Sequence, residues 1–129
     1  MEDKIQLLQF LVCRDFKEEK RDYFTAQSVH SNIYVTRFPA TLKNFYIVTC
    51  WRKDRKFHKE VIELETSYGD VNRTSHTDIE PITDSVLFRW HKHPFPEDFK
   101  IKEPTILTIR VFLDNQPQFE SQLLIEKKN

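Results

Sequence analysis

The strongest constraint on the fold is a set of short aromatic and β-branched runs whose apolar side chains recur at every second residue. In TILTIRVFL, residues 105–113, four apolar side chains fall on one face, while Thr108 and Arg110 fall on the other. A period of two is that of a β-strand with one buried face. No segment carries a long apolar stripe with the 3.6-residue period of a helix. The chain is therefore predicted to be all-β.

About eight strands are predicted, separated by polar turns roughly every 8–12 residues. They cover residues 5–13, 23–29, 32–37, 45–52, 57–67, 85–93, 105–113 and 118–127. This spacing is typical of an antiparallel β-sandwich, immunoglobulin-like or similar.

The connections between these strands are expected to be polar. Residues 14–22 are read as a charged, solvated connection, and residues 69–84 as a long loop with at most a short edge strand. Gly69 is the single glycine of the chain. It is expected to hold a positive φ, and the remaining corners must use Asn, Asp and Pro.

Length and charge limit the class of protein. The 129 residues match one domain, so residues 1–129 are predicted to form a single β-sandwich domain. Twenty basic side chains balance twenty acidic ones. Without a basic excess to neutralise phosphates, a nucleic acid is not expected as a partner.

The N-terminal segment predicts no membrane association. Its apolar run, residues 5–12, is too short for a membrane span and is not followed by a signal-peptide cleavage site. A cytoplasmic location is therefore expected. In that compartment Cys13 and Cys50 would be reduced, and both are predicted to be buried thiols in strands.

The best candidate for a binding site is WHKHPFPE, residues 90–97. Strand alternation places Arg89, His91 and His93 on one face. Two imidazoles at positions i and i+2 can chelate a metal ion, and Glu97 would be a third ligand. The spacing H-x-H-x-x-x-E is similar to the first metal motif of cupin barrels.

Other features of this segment favour a structural strand. The glycines that flank the cupin motif are missing, and no histidine follows His93 in the chain. Arg89 shares the face with the histidines and would repel a cation. The favoured interpretation is a solvent-facing edge strand that ends at two prolines, with no metal and no other cofactor. A metal site formed by His91, His93 and Glu97 stays the alternative.

The sequence lacks the parts of a known catalytic site. It contains no G-x-S-x-G motif, no glycine-rich phosphate loop and no C-x-x-C pair. Both cysteines lie in apolar strands, where thiols are usually inert. A protein that is not an enzyme is therefore predicted.

The predicted function is binding of an unidentified protein or of a second copy of the chain. Long polar loops and strand edges commonly carry such recognition. The expected surface is the loop 70–83 together with the end of strand 85–93. Arg89, His91 and His93 would line its rim, and the loop would contribute His76 and Asp78.

Three segments carry a resemblance to a known family. They are LLQFLVCRDF near the start, QSVHSNIYVTRFPATLKNFYIVTCW after it, and the closing pair of strands. A first strand ending in Cys13 and Asp15, and a turn formed by Phe38, Pro39 and Ala40, resemble a family of small bacterial β-sandwich proteins of unknown function. The chain departs from that pattern where it has AQS and KEPT in place of glycines. The resemblance implies the fold and a bacterial setting that is not secreted, and it implies no activity, cofactor or site residue.

Overall fold

The computed structural model describes residues 4–20, 23–83 and 86–129, which form twelve β-strands and no helix. The all-β prediction is confirmed, with more strands than the eight expected. The strands are β1 (Gln6–Lys20), β2 (Tyr23–Val29), β3 (Asn32–Val35), β4 (Ala40–Thr41), β5 (Tyr46–Arg52), β6 (His58–Glu65), β7 (Val71–Arg73), β8 (Thr77–Ile79), β9 (Phe88–Pro94), β10 (Lys100–Ile101), β11 (Thr105–Leu113) and β12 (Gln116–Lys127).

One segment predicted as a connection forms a strand, and the predicted long loop contains two short strands where one short edge strand was considered. Strand β1 continues through the charged residues to Lys20, because β2 pairs with it in an antiparallel hairpin that places Phe16 opposite Ala26. The segment 69–84 contains β7 and β8, which both pair with the edge of β6 that β11 leaves open. Residues 21–22 and 84–85, which these predictions also covered, lie outside the described residues.

The turns follow the sequence prediction. Gly69 has a φ of 98°, as expected for the single glycine. Asn44, Asp114 and Asn115 also have positive φ values of 68°, 52° and 66°, and Ser28, a residue type outside the prediction, has one of 55°. Asn and Asp tolerate this conformation because their short polar side chains bond to the nearby backbone, so they replace glycine at these corners.

The strands form two main sheets. The smaller sheet has the order β2-β1-β5-β9. The larger sheet has the order β3-β12-β11-β6-β7, with β8 also paired to β6. The pairing is antiparallel except between β12 and β3, which run parallel. A short ribbon of β10 and β4 accompanies them.

The hydrophobic core lies between the two sheets. Strand β11 buries alternate side chains, the pattern read from its sequence. The smaller sheet contributes Val12, Ile47 and Trp51, which pack in one cluster with Ile62, Leu64, Leu107, Ile109, Val111, Leu123 and Ile125 of the larger sheet. The β-sandwich prediction is confirmed.

A second, smaller cluster covers the outer face of the smaller sheet. The rings of Phe16 and Phe24 from the β1–β2 hairpin stack with each other and contact Trp90 of β9, with centroids 5.1 to 5.3 Å apart. Cys13 packs in this cluster. Cys13 and Cys50 are both buried free thiols in strands, as predicted. Burial raises the pKa of Cys50 to about 11.

The described residues contain no helix with the length and apolar character required to cross a bilayer.

Candidate metal centre

The centre of the candidate site is a buried carboxylate on β6. Alternation along this strand directs His58, Glu60, Ile62 and Leu64 to the same inner face, and Glu60 is 0% exposed. A carboxylate among core side chains requires partners, because burial without hydrogen bonds costs several kcal/mol.

Two histidines of β9 supply these partners from the opposite sheet. His91 Nδ1 lies 2.6 Å from Glu60 Oε1, and His93 Nε2 lies 2.9 Å from the same oxygen. The two imidazole rings are 5.6 Å apart and nearly perpendicular. The three ligand atoms lie within 4.8 Å of one another. Two imidazoles and one carboxylate therefore converge on one point between the sheets.

Neighbouring side chains orient this group. Trp51 Nε1 donates a 2.8 Å hydrogen bond to Glu60 Oε2, so the other oxygen of the carboxylate, Oε1, faces the histidines. Thr77 Oγ1 of β8 lies 3.3 Å from His91 Nδ1 and 3.5 Å from Glu60 Oε1. Thr49 Oγ1 of β5 lies 3.4 Å from His93 Nε2.

The electrostatics of the site favour an ionised carboxylate. Burial by itself would raise the pKa of Glu60. The hydrogen bonds from His91, His93 and Trp51 outweigh that effect and lower the pKa to about 2. Glu60 therefore carries its negative charge at neutral pH inside the sandwich.

A cavity adjoins the group at His93 and Thr77. It has a volume of about 490 Å³, and both His93 and Thr77 line it. Its other walls come from residues 72–75, at the end of β7 and just after it, and from residues 92 and 94–98. The volume falls within the range of about 300–1,000 Å³ that is usual for small-molecule sites.

The structure separates the other predicted site residues from this group. Arg89 Nη2 donates to Glu80 Oε2, so the charge of Arg89 has a partner. His76 Nε2 and Asp78 Oδ1 lie 4.0 Å apart, with both side chains more than half exposed. Glu97 lines the adjoining cavity. Among the described residues, the carboxylate within 4.8 Å of both histidine ligand atoms is Glu60, from another strand.

The expectation of a solvent-facing histidine strand is wrong. β9 does lie at an edge of the smaller sheet, but the side chain of His93 is only 3% exposed and that of His91 is 14% exposed. The physical reason is that this face of β9 looks toward β6 and β8 of the larger sheet, where Glu60 accepts both imidazole N–H groups.

Glu60 itself was missed at the level of sequence, although a signal for it exists. In FHKEVIELE, residues 57–65, the register that places Ile62 and Leu64 in the core also places Glu60 there. A charged residue in an apolar register marks a buried polar site.

The donor set suits a first-row transition metal. Imidazole nitrogen and carboxylate oxygen bind Zn²⁺ at about 2.0–2.2 Å in tetrahedral sites, which separates neighbouring ligand atoms by about 3.3 Å. The present separations of 2.6 and 2.9 Å are those of hydrogen bonds. An ion would replace the two N–H protons and lengthen each separation between a histidine nitrogen and Glu60 Oε1 by less than about 1 Å.

Comparison of the chain with protein-family models, curated proteins and solved structures finds no match. The resemblance to a bacterial β-sandwich family remains a prediction, as do the bacterial and cytoplasmic setting.

Proposed function

We propose that the protein is a β-sandwich domain that binds one divalent transition-metal ion between its sheets, through Glu60, His91 and His93. The observation that supports this function is the convergence of one carboxylate oxygen and two imidazole nitrogens within 4.8 Å. The three side chains come from two sheets, so the assembled sandwich, and not a local loop, would hold the ion.

The ligand chemistry favours zinc, nickel or cobalt over magnesium and calcium. Imidazole ligands suit the first-row transition metals, whereas Mg²⁺ and Ca²⁺ prefer oxygen ligands and higher coordination numbers. A site of two imidazoles and one carboxylate offers few oxygens, and Trp51 already occupies one of them.

The surroundings support a preorganised site. Carboxylate ligands of metals are commonly held by a second hydrogen bond, and losing such a bond typically costs about 10–100-fold in metal affinity. Trp51 Nε1 provides this bond to Glu60 Oε2. The proposal concerns binding and assigns no catalytic step.

The first test is native mass spectrometry combined with calorimetric titration of the purified, chelator-treated protein with zinc, nickel and cobalt. We expect one ion per 15.6 kDa chain. The double substitution His91→Ala/His93→Ala should weaken binding at least about 100-fold, because it removes two of three ligands. His76→Ala is the matched control, since that histidine is exposed. A bare monomer after exposure to all three metals would overturn the proposal.

Binding of a macromolecule is a second candidate function. The observation that favours it is apolar exposure near the predicted surface: Val71 is 54% exposed, Val86 43% and Phe88 47%. These side chains lie in or next to the segment 70–83 and the start of β9. The same mass spectrum tests self-association. A dimer that dissociates on the substitution Phe88→Asp would support this function, and a monomer at every protein concentration would contradict self-association.

A further inference from the structure

The candidate metal centre supplies three ligand atoms, whereas a tetrahedral ion takes four. Among the described residues, the group within 4.8 Å contains Glu60, His91 and His93 and no fourth histidine, cysteine or carboxylate. Sites with three protein ligands keep the fourth position for water or an exogenous ligand. The identity of that fourth ligand depends on what adjoins the site.

A cavity borders this group on the side of His93 and Thr77. His93, which provides a ligand atom, and Thr77, whose hydroxyl lies within 3.5 Å of the other two ligand atoms, both line this 490 Å³ volume. A molecule in the cavity would therefore meet this group at His93 and Thr77. The side-chain hydroxyl of Thr77 can donate one hydrogen bond to such a molecule.

Charge selects the class of ligand. A divalent ion held by one carboxylate and two neutral imidazoles leaves one net positive charge in a buried site. The two basic side chains that line the cavity already have partners, because Arg73 pairs with Glu63 and Lys92 pairs with Asp15. The uncompensated charge would therefore come from the metal, and burying it is unfavourable unless an anion pairs with it.

We propose that the metal keeps an open position toward this cavity and binds a small monoanion there, such as a carboxylate, with the Thr77 hydroxyl donating a hydrogen bond to the bound anion. This inference rests on the proposed metal function. Binding forms a metal–ligand bond, displaces a coordinated water and involves no redox change.

The test uses cobalt-loaded protein, because the visible absorption of Co²⁺ reports its ligands and geometry. Azide and acetate are titrated into the cobalt protein as probe anions. We expect a saturable change in the visible bands that depends on anion concentration. Thr77→Val should weaken anion binding to the cobalt-saturated protein about fivefold, the effect of one hydrogen bond. Saturation with cobalt separates this loss from any loss of cobalt affinity, because Thr77 also lies beside Glu60 and His91. Thr77→Ser keeps the hydroxyl and should restore anion binding.

Thr36→Val is the matched control, because Thr36 is exposed and lies outside the cavity. Its substitution should leave both affinities unchanged. Failure of the wild-type protein to bind cobalt would overturn the metal function itself. Cobalt binding with no spectral response to either anion would overturn the open position alone. Anion binding that is equal in wild type and Thr77→Val would overturn the role of Thr77.

Discussion

At the scale of single residues, the distinctive group is a carboxylate that is fully buried and still ionised. Glu60 accepts hydrogen bonds from Trp51, His91 and His93, and these bonds offset the cost of removing its charge from water. The arrangement depends on all of its members, because a buried charge that loses its partners destabilises the fold.

Substitution Glu60→Gln tests this dependence. The variant keeps an oxygen for Trp51 Nε1 but presents an amide donor to two imidazole N–H groups. We expect a loss of about 2–4 kcal/mol in the free energy of unfolding, measured by urea denaturation in the presence of chelator. Glu126→Gln is the control, because Glu126 is exposed on β12 and should change stability by less than about 0.5 kcal/mol. Equal stability of wild type and Glu60→Gln would contradict the stabilising role of the charge.

At the scale of elements, β6 organises the site through contacts at several positions. Its N-terminal residue, His58, lies between two turns: Nε2 is 2.9 Å from Asp54 Oδ1, and Nδ1 is 2.5 Å from Asp114 Oδ2. Asp114 Oδ1 also accepts a 2.9 Å hydrogen bond from the backbone N–H of Lys59. These bonds tie the β11–β12 turn to the start of β6, two residues before Glu60.

The variant Asp114→Asn measures how much the hydrogen bonds of Asp114 stabilise the fold. Burial would raise the pKa of Asp114, but the hydrogen bonds from His58 and Lys59 outweigh it and hold the pKa below its usual value. A lowered pKa in the folded state contributes stability above the unfolded value near 3.9, and the contribution disappears as the pH falls through the folded value. An asparagine at position 114 tolerates the positive φ and keeps one side-chain oxygen as a hydrogen-bond acceptor. The expected loss is about 1 kcal/mol at pH 5.5, since the side chain is 48% exposed.

The readout for this variant is chemical denaturation between pH 5.5 and pH 2. The difference between wild type and Asp114→Asn should shrink toward zero at the acid end. Asp98→Asn, at an exposed carboxylate, is the control. A difference that stays constant across this pH range would show that the charge of Asp114 does not stabilise the fold.

At the scale of the whole molecule, the core and the candidate metal centre contribute separately to the stability of the fold. The cluster between the sheets joins strands of both layers without a disulfide among the described cysteines. A chain of this length buries roughly two thirds of its unfolded surface, which is enough for independent folding. The metal would add stability to a fold that already exists.

Removal of the metal tests whether the core is stable by itself. In chelator, the protein should keep its β-sheet circular dichroism and unfold cooperatively on heating. Zinc at 100 times its Kd should add about 2.7 kcal/mol and raise the Tm by roughly 10 °C. His91→Ala/His93→Ala should show no zinc-dependent rise. Loss of structure in chelator would mean that the core is insufficient, and an unchanged wild-type Tm would mean that zinc does not prefer the folded state.

Local periodicity in the sequence predicted the fold class, most strand positions, the buried cysteines and the shared face of His91 and His93. The residue type of Gly69 predicted its positive φ. Each of these depends on backbone alternation or on one residue's conformational range, which neighbouring residues specify. The surroundings of His91 and His93, in contrast, depend on the tertiary structure. Glu60 lies 31 positions before His91, in the other sheet. Only the packing of the two sheets brings them together, because a period of two defines which side chains share a face and not which strand lies opposite. The same reason explains β7 and β8, whose polar sequence became strand when β6 offered an open edge.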